Sequence, residues 1–244
     1  MKNFFLIPLL LFPLATFANE PVKKLDRAPI EKATDVVALQ RGARTFVNYC
    51  LNCHSATMMR YNKLHDIGLT DQQIKDNLMF TAEKLGDTMD VSMSAQDAKD
   101  WFGTQPPDLS VIARVRGADW LYTYLRTFYR DDKRPTGWNN LVFDNVGMPH
   151  VLYQLQGQNA LKVDVTTDPH GHKTSYAKLE QIKPGTLNKM EYDNLVGDLV
   201  AFLVYMSEPQ AAERKQIGIA VLIVLGLLLA LTYWLKNEYW KDVH

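Results

Sequence analysis

Hydrophobic positions are spread unevenly along the chain, and the unevenness already divides it. Behind Lys2, the stretch from Phe4 to Phe17 is almost wholly apolar and closes on Ala15-Thr16-Phe17-Ala18. A basic start, a short apolar run and small residues at its end mark a secretory leader. Cleavage is expected after Ala18, with Thr16 and Ala18 at the −3 and −1 positions. The run is short for an uncleaved anchor. A second run, Ile217 to Leu235, is 19 residues without a charge. At 1.5 Å per residue it comes close to the ~20 residues that cross a hydrocarbon core of ~30 Å. Arg214, Lys215, Lys236 and Lys241 flank it, and Tyr233, Trp234, Tyr239 and Trp240 gather at its C-terminal boundary as interfacial aromatics do. Basic residues are equally few on both sides, so the leader decides the orientation. Residues 19–210 are expected outside the membrane, 217–235 across it and 236–244 in the cytoplasm.

Between the two runs the apolar spacing is helical in two places. Val36, Leu39, Ala43, Phe46 and Val47 predict a helix from Asp35 to about Tyr49, with Thr34 as its cap. Leu195, Leu199, Phe202, Leu203 and Met206 predict another over Met190 to Met206. Asn188 and Glu191 resemble a capping box at its start, and Glu208-Pro209 ends it. Gly42, Phe46 and Cys50, four apart, share one face of the first helix. A glycine and an aromatic at that spacing let two helices cross closely, so the two are expected to be partners.

Composition adds exclusions. The 244 residues are 47% hydrophobic, too apolar for a disordered chain, and carry 27 basic and 27 acidic side chains. Losing the leader removes only Lys2, leaving a net charge of −1. Such a balance argues against a nucleic-acid binder. One stretch departs from it: Glu83, Asp87, Asp90, Asp97 and Asp100 outweigh Lys84 and Lys99 between residues 83 and 100. That segment suits the docking of a basic partner, or is a solvated acidic loop.

Both cysteines fall in Cys50-Leu51-Asn52-Cys53-His54. Cys-x-x-Cys-His is the attachment signature of a c-type haem, in which each thiol joins one vinyl group and the imidazole reaches the iron. A zinc site would want two further ligands, and there is no third cysteine. A thioredoxin-like pair belongs after a strand, whereas a helical pattern precedes this motif. A disulfide would close a very small loop. The export signal favours haem, one group held covalently by Cys50 and Cys53, with His54 on the iron.

An electron carrier wants a second strong ligand, and methionine is the usual one in cytochromes c. Met58 and Met59 are too near His54, and Met206 belongs to a helix core. Met148, in Asn145-Val146-Gly147-Met148-Pro149, sits in a loop fixed by glycine and proline. Met190 competes with it. His150, His170 and His172 are outside candidates, the last two beside a turn at Asp168-Pro169.

Beyond the motif the chain resembles the cytochrome c1 family, the haem subunits of the ubiquinol–cytochrome c reductase (bc1) complex. The matching residues are Met59-Arg60-Tyr61-Asn62, Pro106-Pro107-Asp108-Leu109-Ser110, Arg114-Val115-Arg116-Gly117, Pro135-Thr136-Gly137 and Gly147-Met148-Pro149. Glu208-Pro209, Arg214-Lys215 and the single C-terminal anchor complete the order. The resemblance implies a mainly α, class I cytochrome c-like haem domain with insertions, plus one C-terminal transmembrane helix. It implies His54 and Met148 as axial ligands, Arg116 beside a haem propionate (Arg114 the fallback), and the Pro-Pro-Asp-Leu-Ser segment along the haem pocket. It further implies electron transfer from a Rieske iron–sulfur protein to cytochrome c, with cytochrome b beside the anchor. The place is a bacterial inner membrane, with the haem domain in the periplasm. Residues 157–185, with a hairpin expected around Pro169, match the family pattern poorly. Two other classes fit the motif: an anchored monohaem cytochrome feeding a terminal oxidase, and a haem sensor or peroxidase with an open site.

Overall fold

The computed structural model describes residues 25–91, 93–167 and 173–241. The expected leader and its cleavage site, and the hairpin tip with His170 and His172, lie outside the described residues.

In chain order the elements are α1 (Val36–Tyr49), β1 (Ala56–Arg60), α2 (Asp71–Asn77), β2 (Thr88–Met89), α3 (Ala95–Phe102), α4 (Ile112–Arg116) and α5 (Ala118–Arg126). There follow β3 (Phe128–Arg130), β4 (Trp138–Asn140), α6 (Tyr153–Gln156), β5 (Gly157–Thr167), β6 (Lys173–Pro184), α7 (Lys189–Ser207) and α8 (Ala211–Tyr239). Short 3₁₀ turns run over Ile30–Thr34 and Tyr61–Ile67. The chain is mainly α with one long C-terminal apolar helix, as the sequence pattern and the family resemblance imply.

The expected cap of α1 is one residue off. Asp35, not Thr34, caps it: its carboxylate accepts from the backbone N–H of Val37 (2.9 Å) and Ala38 (3.3 Å). Thr34 belongs to the preceding 3₁₀ turn, and its hydroxyl donates to the carbonyl of Glu31. A carboxylate at a helix N-terminus also meets the positive end of the helix dipole. The capping box of α7 forms as expected, with the Asn188 and Glu191 side chains each accepting from the other's backbone N–H.

The helix pair α1/α7 is the centre of the core. A Cβ on Gly42 would lie 2.2 Å from the carbonyl oxygen of Asp198 and 2.7 Å from Cβ of Phe202. Nothing larger than glycine permits that backbone-to-backbone approach. One turn on, the Phe46 and Phe202 rings meet with centroids 5.7 Å apart. Beside the crossing, buried Asp198 is paired with Arg41 (2.6 Å) and Lys32 (2.9 Å), so its charge is compensated.

Two sheets flank the helices. β1 and β2 pair antiparallel. The second sheet runs β4-β3-β5-β6, with β3/β5 parallel and the other pairs antiparallel. β5 and β6 are the arms of the hairpin expected in residues 157–185, with Leu161 opposite Leu179. Its base is pinched between two glycines: a Cβ on Gly185 would lie 2.2 Å from the carbonyl oxygen of Leu155 and 2.4 Å from the nitrogen of Gly157.

The expected span, Ile217 to Leu235, lies inside α8. Within Glu213–Tyr239, the apolar part of that helix, no residue is buried against the described chain. Only Glu208–Gln210 separates it from α7.

Candidate functional site

A cleft of ≈ 250 Å³ opens between the end of α1, α5, α7 and the loop after β4. Its walls are mainly apolar, and among the described residues Arg116 is the one formally charged side chain that lines it.

The cysteine motif enters as a tight continuation of α1. Cys50 donates its N–H to the carbonyl of Phe46 (2.8 Å), and the carbonyl of Cys50 then accepts from Cys53 (3.0 Å) and His54 (2.9 Å). This turn brings Cys50, Cys53 and His54 into one cleft lining. Both thiols are free. Burial, with a smaller contribution from Cys53, pushes the Cys50 thiol up to about 12, and burial raises Cys53 as well. Both are therefore protonated at neutral pH.

His54 is oriented by the chain itself. Its Nδ1 lies 2.7 Å from the carbonyl oxygen of Pro107. A carbonyl can only accept, so Nδ1 carries the proton and Nε2 keeps its lone pair. Burial holds the imidazole below its ordinary range, against the opposing pull of Pro107 and Asp108, so the ring is neutral at pH 7. The segment bearing Pro107 is fastened to the residues that follow the motif. Leu109 donates to the carbonyl of Ser55, Asp108 accepts from Thr57 and Ser110, and the Ser110 hydroxyl accepts from Met58. Pro106, Pro107 and Leu109 all line the cleft, as the Pro-Pro-Asp-Leu-Ser resemblance implies.

Met148 reaches the same cleft from the loop after β4, with Val146, Gly147 and Pro149 beside it. The Tyr124 hydroxyl donates to its sulfur at 3.3 Å. Tyr124 in turn stacks on Trp120, with centroids 4.8 Å apart. The Arg116 guanidinium lies 5.0 Å from the Trp120 ring and 5.8 Å from Phe143. Arg114, the fallback, is not part of the lining.

Among the described residues the rival ligands are elsewhere. Met190 is 70% exposed and Met58 76%, while Met59 and Met206 are buried in the core. His150 is buried but turned to other company, stacked on Phe128 at 4.8 Å with the Trp138 ring edge-on to it. None of these five lines the cleft.

Some of the lining escapes a reading of the sequence. Trp120, Leu121, Tyr124 and Leu125 of α5 form one side, and their i, i+4 spacing was available as a signal of a helix with a buried face. Leu199 and Leu203 belong to the stripe that predicts the helix crossing, and they also line the cleft.

A family model described as the Cytochrome C1 family matches residues 26–243. The chain belongs to the cytochrome c1 family. Its relatives include the cytochrome c1 of Allochromatium vinosum, 46% identical over 237 residues, 97% of this chain and 96% of that one. A protein of Nitrosomonas europaea named ammonia monooxygenase gamma subunit is 50% identical over 244 residues, 100% of this chain and 99% of its own. The cytochrome c1 of Rhodospirillum rubrum is 26% identical over 242 residues, 86% and 83% of the two chains. As a cytochrome c1 the chain has a haem electron-transfer role in a bc1-type complex, and α8 suits single-pass anchoring in the inner membrane.

Proposed function

We propose that this cytochrome c1 takes an electron from a Rieske iron–sulfur protein and passes it to cytochrome c. The carrier is one haem c held in the cleft. The observation that supports this most strongly is the donor set of that one cleft: two thiols, a neutral imidazole with a free Nε2, a thioether sulfur and a single cation.

The residues fit a c-type haem. Cys50 and Cys53 would each add S–H across one vinyl group, making two thioethers without oxidant or reductant. His54 Nε2 and Met148 Sδ would hold the iron, one through nitrogen and one through a thioether. Arg116 offers a charge-assisted partner to a propionate that would otherwise be a buried, unpaired carboxylate. When bound, the haem supplies a one-electron couple whose potential a methionine ligand raises. The chain's own work is to keep water out with the apolar walls, to hold His54 through Pro107, and to fix Met148 on its loop.

In this reading residues 19–210 lie in the periplasm and the C-terminal tail in the cytoplasm, with α8 against cytochrome b; the apolar leader in the sequence and the length of α8 support it. The C-terminal end of the acidic segment lies close to the cleft, since α3 ends at Phe102, a lining residue. Asp87 and Asp97 are tied into turns by accepting from Lys84 and Ser94, and so hold a fixed negative surface. It suits a basic cytochrome c, and the attraction weakens with salt.

The name of the 50%-identical Nitrosomonas europaea relative favours a second reading, electron delivery beside a monooxygenase. Mild-detergent purification of the full-length chain separates the two. Copurifying b-type cytochrome and Rieske protein are expected; monooxygenase subunits in their place would overturn the reductase reading.

A further inference from the structure

The loop that carries Met148 has no regular structure between Leu141 and Pro149, yet the N–H groups of Val142, Phe143 and Asn145 are held by side chains. The acceptors are two consecutive buried asparagines at the end of β4. Asn140, fully buried, accepts from Val142 (2.9 Å) and Phe143 (3.2 Å) through Oδ1. Its Nδ2 donates to the carbonyl of Tyr124 at 2.8 Å. Asn139 accepts from the N–H of Asn140 and, six residues on, from the N–H of Asn145, both at 2.9 Å. Its own Nδ2 donates to Asp131 at 2.9 Å. Asn145 has φ +59°, a left-handed conformation that a non-glycine residue holds only when its surroundings fix it. Asn139 fixes its nitrogen, and Arg134 donates to its carbonyl at 2.8 Å.

Neither asparagine lines the cleft, but their amides hold the loop as far as Asn145, three residues before Met148. Asn140 also joins the loop to the backbone of Tyr124, the residue whose hydroxyl meets the Met148 sulfur. The loop and the partner of its sulfur are therefore referenced to the same end of α5.

We propose that Asn139 and Asn140 are positioning residues that hold the Met148 loop in its ligand-presenting conformation. The proposal rests on the reading of Met148 as an axial ligand. Without these acceptors the N–H groups of Phe143 and Asn145, on residues that already face solvent, would turn to water, and the loop would lose its ties to β4 and α5. An opened loop carries Met148 away while the thioethers and His54, on α1 and its continuation, stay in place.

The test uses the full-length holoprotein in detergent. Three signals are read: the ferric methionine-to-iron charge-transfer band per haem, carbon monoxide binding by the ferrous form, and thermal unfolding. Asn139→Ala and Asn140→Ala should keep covalent haem, weaken the band and raise carbon monoxide binding, a shift of about tenfold in the ligated-to-open ratio. Should both alanine variants fail to retain haem, a milder pair decides. Asn139→Asp keeps the oxygen acceptor but faces Asp131, and should weaken the band. Adding Asp131→Asn restores an amide–carboxylate pair and should restore the band, which a general loss of stability would not do. Met148→Ala separates the proposal from its premise. If Met148→Ala abolishes the band and the asparagine variants retain it, the asparagines do not position the ligand, though Met148 remains one. If Met148→Ala keeps the band, the premise fails and the proposal falls with it. Failure of Asp131→Asn to rescue Asn139→Asp also overturns the proposal.

Discussion

Two histidines show how placement alone separates roles. His54 has one ring nitrogen committed to a carbonyl and the other free; His150, 2% exposed, has a buried Nε2 with no hydrogen-bond partner and rings on two sides. Burial drives His150 down to about 4 from an ordinary value of 6.5, with Gln156 opposing only slightly. The folded form thus stays neutral where the unfolded chain takes up a proton. Stability from this site is complete above the unfolded value and is lost as pH falls from about 6.5 toward 4, by as much as ~3 kcal/mol. His150→Phe, which keeps the stacking shape, should flatten the acid limb of the unfolding curve in that window. Denaturant titrations at a series of pH values check it; an unchanged acid limb would show that His150 is not the group responsible.

At the scale of elements, the helix crossing decides whether the cleft exists, since α1 delivers the cysteine motif and α7 supplies Leu199 and Leu203. Gly42→Ala puts a methyl group 2.2 Å from a backbone oxygen that has no rotamer to escape with. Overpacking of this kind costs about 1–3 kcal/mol, and alanine's better helix preference, ~1 kcal/mol, returns only part. Gly226→Ala in α8, where nothing in the described chain lies within 4 Å, should leave unfolding of the haem domain unchanged. Thermal melts of the two variants make the comparison. This crossing was legible from Gly42, Phe46 and the leucine stripe, because helical periodicity and a lone glycine are local signals. Other features were not. The cap of α1 moved by one residue because Thr34 was taken by a turn whose pattern carries no apolar spacing. The α5 side of the cleft reads as ordinary core, and the parallel pairing of β3 with β5 joins residues about thirty apart, which no local pattern encodes. The cysteines and His54 announce their chemistry by spacing; Met148 stands ahead of Met190 on its glycine- and proline-fixed loop, and the family pattern widens the margin.

For the whole molecule, the division between a folded haem domain and an unaccompanied apolar helix is sharp. Glu213–Tyr239, 27 residues, is ~40 Å long at 1.5 Å per residue, more than the ~30 Å of a hydrocarbon core, and none of its residues is buried against the described chain. A chain ending at Gln210 retains α7 and every residue of the cleft. It should leave the membrane without detergent and keep the haem spectrum of the full-length protein. Fractionation checks this; a truncated protein that remains in the membrane would place the anchor elsewhere.

We propose that a haem in this cleft would be held through His54 and Met148. Redox potentiometry of the full-length holoprotein tests it most directly. Met148→Ala should lower the midpoint potential by on the order of 100 mV or more, within the ~0.8 V that axial ligands command, while Met190→Ala leaves it unchanged. A drop in Met190→Ala with Met148→Ala unaltered would contradict the account.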